Sequence, residues 1–329
     1  MTWLAAKRYS GLSKKFTYTI QHYELDLKID IRRLTYAATA SVTMTATKST
    51  RHFCFLLSDE CTLMGISYLG LALSNTIKPL YPGRTLISSV LPRKADVGEK
   101  LVIVLSYRGA FPGPPGEALE LAPSMHWYPY SLYPQKYSCT LKVVAPNSIR
   151  IVGVGEPLSE KPSDTRTLTQ WTATIPFRGI HMLAGEFLKT TREVQPHLQV
   201  YYPRKFMNQG KGVADSCERL TAYYAEKLGP SPAPATAIIL TENNEPSINS
   251  SLYITSIHGG SLDQRRYHPS AKERNLRTYL LIAREMGKRW LKYSLMVEHP
   301  SHLWYLDGLA EYLSWLALEE NLASPSASK

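Results

Sequence analysis

Between Tyr23 and Ile31 the chain alternates strictly. Tyr23, Leu25, Leu27, Ile29 and Ile31 are apolar, and Glu24, Asp26, Lys28 and Asp30 between them are charged. A side-chain period of two sends neighbours to opposite faces, so this stretch is a β-strand with one buried face and one wet face. The pattern recurs at Ala40, Val42, Met44 and Ala46, which alternate with Ser41, Thr43 and Thr45. Further strands are predicted over residues 53–57, 101–107, 137–144, 149–154 and 168–175. Turn words such as Tyr81-Pro-Gly83 and Ala95-Asp-Val-Gly98 separate them, and Phe111-Pro-Gly-Pro-Pro-Gly116 is too rich in Pro and Gly for strand or helix. Many short strands with turns at this spacing predict an antiparallel β-sandwich over residues 21–192.

A chain of 329 residues ordinarily makes two domains. The second is predicted over residues 193–323 and has a different rhythm. A strand at 198–202 is followed by an amphipathic helix at 212–228, which Gly229-Pro230 stops, and by a strand at 235–241. Two helices close the domain. In the first, Tyr279, Ile282, Ala283, Met286 and Trp290 repeat at helical spacing and form one apolar face. Arg284 and Lys288 are four apart, so their side chains leave that helix side by side. The second helix runs from Leu303 through Asp307 and Glu311 to Ser314.

These two helices resemble the zinc-site helices of the gluzincin aminopeptidases, the alanyl-aminopeptidase family. That family carries A-H-E-x-x-H-x-W, then a Glu after eighteen further residues inside L-W-x-x-E-G-x-A-E-Y-L. Here the words read Ala283-Arg284-Glu285-Met286-Gly287-Lys288-Arg289-Trp290 and Leu303-Trp304-Tyr305-Leu306-Asp307-Gly308-Leu309-Ala310-Glu311-Tyr312-Leu313. The frame matches and the ligands differ: Arg284, Lys288 and Asp307 stand where the family has His, His and Glu. Zinc needs imidazole, thiolate or carboxylate donors. Arginine has no lone pair to give and lysine is an ammonium at neutral pH. Glu285 occupies the general-base position, but such a base acts on metal-bound water. The resemblance therefore implies a degenerate site with no zinc and no cofactor.

Weaker matches support the same family along the first domain: Trp127-Tyr-Pro129, Val144-Ala-Pro146, Val152-Gly-Val-Gly-Glu-Pro157, Trp171, and the run from Ile180 to Phe187. The implied fold class is α+β, an N-terminal antiparallel sandwich followed by a partial thermolysin-like, or zincin, α/β domain. The family's G-x-M-E-N edge strand, whose Glu grips the substrate amine, corresponds to Ile248-Asn249-Ser-Ser-Leu252-Tyr253. No Glu is present there, and Glu245 lies before Pro246. The resemblance spans roughly residues 20–320 and covers the front half of the family's catalytic architecture. His181, on an apolar run, reads as a satisfied core histidine. His299 and His302 read as part of a cap or turn.

The formal net charge is +11, and nine Lys or Arg against two Glu between Arg265 and Lys292 supply +7 of it. Arg265, Arg266, Lys272, Arg274, Arg277, Arg289 and Lys292 are the candidate contact residues for a protein partner, a larger assembly or another acidic surface. No RNA-reading motif accompanies them, so nucleic acid is not the expected partner. Twenty-one Tyr against seven Phe suggest surfaces that are apolar but wet. Cys54, Cys61, Cys139 and Cys217 form no C-x-x-C pair and read as free thiols of a reducing compartment. No eighteen-residue apolar run occurs, so no transmembrane helix is expected. Residues 1–20 read as a basic tail and 324–329 as a disordered one. The expected location is cytoplasmic, or an organelle matrix if the acid-free N-terminus is a transit peptide. The expected function is a non-catalytic, aminopeptidase-like binding or scaffold module. The competing reading is a hydrolase that keeps activity through Glu285 and further groups.

Overall fold

A computed structural model describes residues 17–81, 83–113, 118–132, 135–194, 197–231, 233–243, 248–262, 270–295 and 303–323. The chain forms two compact units, Met1–Gly185 and Glu186–Lys329. It is mixed α+β, and its N-terminal unit is β-rich. Among the described residues the helices lie in the second unit, apart from single 3₁₀ turns.

The strands of the first unit are β1 (Tyr18–Asp30), β2 (Thr35–Ala46), β3 (Thr50–Ser58), β4 (Thr62–Tyr68), β5 (Leu71–Ala72), β6 (Asn75–Tyr81) and β7 (Arg84–Ala95). They continue with β8 (Lys100–Ala110), β9 (Leu119–Leu121), β10 (Tyr137–Pro146), β11 (Arg150–Val152), β12 (Glu156–Pro162), β13 (Arg166–Phe177) and β14 (Met182–Gly185). An eight-stranded sheet has the order β12-β13-β10-β1-β2-β8-β4-β5, and two three-stranded sheets have the orders β3-β7-β6 and β11-β14-β9.

The alternation in β1 does what its period requires. Tyr23, Leu25, Leu27 and Ile29 are buried. One row of paired residues crosses the large sheet as Trp171, Leu141, Leu25, Ala40, Leu105 and Ile66, all on the core face. The sheet is not purely antiparallel. β1 and β10 run parallel from His22↔Ser138 to Lys28↔Val144. A period of two fixes which face is buried and is silent on strand direction, and this pair joins segments too far apart for a turn word to reveal.

Twelve of the 21 tyrosines are core residues, which corrects the expectation that they mainly serve wet surfaces. Several of their hydroxyls find partners inside the fold. Tyr128 and Tyr137 share a hydrogen bond of 2.7 Å, and Tyr23 donates to the Pro129 carbonyl at 2.7 Å. Trp127 of the W-Y-P turn donates Nε1–H to the Ile180 carbonyl at 3.1 Å. His181 is buried with Nε2 2.8 Å from Glu120 Oε1, as a core histidine should be. Gly155 has φ +88, and a Cβ there would lie 1.9 Å from the Thr172 carbonyl oxygen, so the second Gly of the Val-Gly-Val-Gly word is required by the backbone.

The second unit has a five-stranded sheet of β15 (Leu188–Arg192), β16 (His197–Tyr202), β17 (Ala235–Thr241), β18 (Ile248–Ser250) and β19 (Ile254–His258). Its order is β15-β16-β17-β19-β18, with β16, β17 and β19 parallel and an antiparallel strand at each edge. The unit starts before the expected 192/193 boundary because β15 pairs with β16. The helices are α1 (Met207–Leu228), α2 (Gly259–Leu262), α3 (Ala271–Ser294) and α4 (Leu303–Ala323). Leu198, Val200, Ile238, Leu240 and Ile257 of the sheet share one core with Val213, Cys217 and Tyr224 of α1, Ile282, Met286 and Trp290 of α3, and Ala317 of α4. The helical spacing read from Tyr279 to Trp290 is this buried face. Among the described residues no helix is long and apolar enough to cross a membrane.

Candidate functional site

Three elements bring the charged residues of α3 together: α3 itself, the first half of α4, and the edge strand β18 with the residues after it. Burying Ile282, Ala283 and Met286 fixes how α3 rotates, and this turns Arg284, Glu285 and Lys288 toward α4 and β18. Tyr224 of α1 locks the rotation by donating its hydroxyl to the Ala283 carbonyl at 2.8 Å. A Cβ on Gly287 would lie 3.3 Å from that hydroxyl, so the small residue sits where α1 and α3 approach closely.

Glu285 is the centre of the cluster. Its Oε2 accepts from Ser250 Oγ at 2.6 Å. Its Oε1 accepts from Lys288 Nζ at 2.9 Å and from Arg284 Nε at 3.2 Å. Lys288 reaches across to α4, where Nζ lies 2.8 Å from Asp307 Oδ1. Arg284 Nη1 lies 3.7 Å from Glu311 Oε2. Two cations are thus shared among three carboxylates.

Exposure grades steeply across this network. The side chains of Glu285 and Lys288 are 5% and 13% exposed, while Arg284 is 36% and Asp307 64% exposed. The floor is a desolvated ion pair and the rim is wet. Charge–charge attraction is weakly screened at the floor and strongly screened at the rim.

Beneath the cluster lies Arg289, which corrects its assignment as a contact residue. It is 2% exposed, and its Nε and Nη2 donate to the Leu252 carbonyl at 3.0 and 2.8 Å. Burial pulls its guanidinium down to about 9, with nearby Cys217 and Tyr253 acting in the opposite sense. It therefore stays charged at neutral pH and holds the chain just after β18 against α3. Burial pushes the Cys217 thiol up to about 12, with Arg289 opposing, so that sulfur is a core group and not a nucleophile.

The remaining candidates divide by position. Arg277 is exposed on α3. Lys272, Arg274 and Lys292 belong to α3, with side chains outside the described residues, and Arg265 and Arg266 lie outside them altogether. His299, His302 and Glu245 also fall outside them. Three of the nine cations of the basic segment, Arg284, Lys288 and Arg289, are spent on internal partners. Ser250 and the Leu252 carbonyl were not anticipated from sequence. Arg289 had a usable signal, because it lies seven residues after Ile282 and three after Met286, on the buried face.

The cluster does not fit a zinc ion. Arg284 and Lys288 offer only donors, and both oxygens of Glu285 already accept hydrogen bonds from protein groups. Among the described residues no three His, Cys, Asp or Glu come together as a metal-binding group. What the arrangement can do is hold α3, α4 and β18 in one fixed relation. Comparison with protein-family models gives no match, and comparison with curated proteins gives none either.

Proposed function

We propose that this chain is a non-catalytic relative of the gluzincin aminopeptidases, a pseudopeptidase that serves as a binding or scaffold module within a larger protein assembly. The observation that carries the reading is the capture of Glu285. The side chain at the general-base position accepts from Ser250, Lys288 and Arg284 on its two oxygens and is only 5% exposed. Lys288 and Asp307 are two of the three positions that correspond to metal ligands, and here they bind each other. The ion pair takes over the cross-linking of two helices that a metal would otherwise perform. The partial zincin assignment is supported by the edge position of β18, where the family resemblance expects the amine-gripping strand. Ser250 on that strand is turned to Glu285 instead.

Elemental analysis of purified protein together with an assay on aminoacyl fluorogenic substrates tests the reading. The expected result is substoichiometric zinc and no turnover above that of a Glu285→Gln variant. Stoichiometric zinc with Glu285-dependent turnover would establish the hydrolase reading in its place.

A further inference from the structure

Helix α4 is apolar on two sides. One side, with Leu306, Ala310, Ser314 and Ala317, is buried. The other carries Trp304, Leu309, Tyr312 and Trp315, which are 73%, 42%, 60% and 47% exposed. At about 100° per residue, Trp304, Gly308, Tyr312 and Trp315 fall within an arc of roughly 80° and make one stripe. Large apolar side chains gathered on one exposed face mark an interaction site, so this outward face is a candidate for a covering surface. Taking ~150–250 Å² for a whole aromatic side chain, Trp304, Tyr312 and Trp315 leave roughly 270–450 Å² of the stripe in water. Two such faces laid together would remove roughly 500–900 Å², the size of a weak, transient contact.

The charges and shapes along the stripe indicate what covers it. The first turn of α4 has no acid and the last turn no base, so neither end of its dipole is answered by its own side chains. Glu319 is exposed, lies in the same arc at the C-terminal end, and is badly placed for its own helix. Gly308 is a gap in the stripe, where an added Cβ meets nothing within 4 Å. A copy of α4 running the opposite way satisfies all three features.

We infer that this face pairs with the same face of a second copy, the two helices antiparallel about a dyad between Glu311 and Tyr312. In that register Trp315 of each copy seats over Gly308 of the other, and Glu319 meets the positive first turn of the other helix beside Trp304. Tyr312 lies against the opposite Glu311, where a phenol donates to a carboxylate.

Sedimentation velocity of the whole chain from about 1 to 100 μM, the range in which a minimal interface associates, tests the pairing. A monomer–dimer equilibrium is expected. Trp315→Glu and Gly308→Leu should each raise the dimer Kd at least tenfold with an unchanged urea midpoint at low concentration. Met64→Glu, at an exposed apolar side chain of the first unit, should change nothing. Glu319→Gln should weaken the antiparallel pair two- to fivefold. The pairing is overturned by a monomer throughout, by a dimer indifferent to both α4 variants, or by a dimer that Glu319→Gln tightens, as a parallel pair would. A monomer whose tryptophan emission shifts blue on phosphatidylcholine vesicles would also overturn it, and would assign the face to lipid.

Discussion

Glu285 sets the local energetics, because it is a desolvated carboxylate that depends on its neighbours to remain charged inside the fold. Lys288→Ala strips away its closest cation and should destabilise the protein by about 3 kcal/mol in urea unfolding. Arg284→Ala removes a partner that is one-third exposed and should cost less than about 1 kcal/mol. An equal loss in the two variants would contradict the division between buried floor and wet rim. A second residue-scale prediction concerns His126 in the first unit. Burial, aided by Arg84, pulls its imidazole from the ordinary 6.5 down to about 4, although the Ser124 carbonyl accepts from or faces Nδ1 at 2.9 Å. The native ring therefore stays neutral while the unfolded ring takes up a proton. Its contribution is complete above pH 6.5 and is lost as pH falls toward about 4, amounting to up to ~3 kcal/mol. His126→Asn, which tolerates the left-handed backbone at φ 53, should flatten the decline of the urea midpoint across that window.

At the level of elements, legibility followed periodicity. The β1 alternation and the α3 apolar face each have one dry and one wet side, so a single chain of side-chain types announces both the element and its orientation. Helix α1 was predicted to start at 212 but begins at Met207. Gly210, which weakens a helix on propensity grounds, is needed there because a Cβ would strike the Tyr202 ring at 2.2 Å. Strands β6, β7 and β12 carry no clear alternation, because charged, hydroxyl and proline residues interrupt it. The sequence predicts α4 as a helix, but its two apolar sides cannot say which one faces inward. The side-by-side placement of Arg284 and Lys288 is legible from their four-residue spacing, whereas Ser250 and Leu252 enter the site only through tertiary contact. Gly155→Ala should lower stability by about 2 kcal/mol or more by urea unfolding, since it combines positive φ with a blocked Cβ position.

For the whole molecule, net charge proved a poor guide to surface. Part of the +7 segment neutralises acids within the second unit, and Arg289 is hidden entirely. The division at Gly185/Glu186 carries its own test. A fragment of residues 186–323 keeps β15 on the edge of its sheet, whereas one of residues 193–323 leaves the β16 edge bare. The shorter fragment should show a lower urea midpoint and more aggregation by light scattering. If the two behave alike, β15 is dispensable to the second unit. The parallel pairing of β1 with β10 bears on how the protein is made. His22 and its neighbour Ser138 are separated by 116 residues. A ribosome adding about 5–20 residues per second needs roughly 6–23 s to cover that gap. Until then one edge of β1 lacks its partner strand and is open to pairing with another polypeptide. The closing of β1 against β10 should therefore be among the late events of folding.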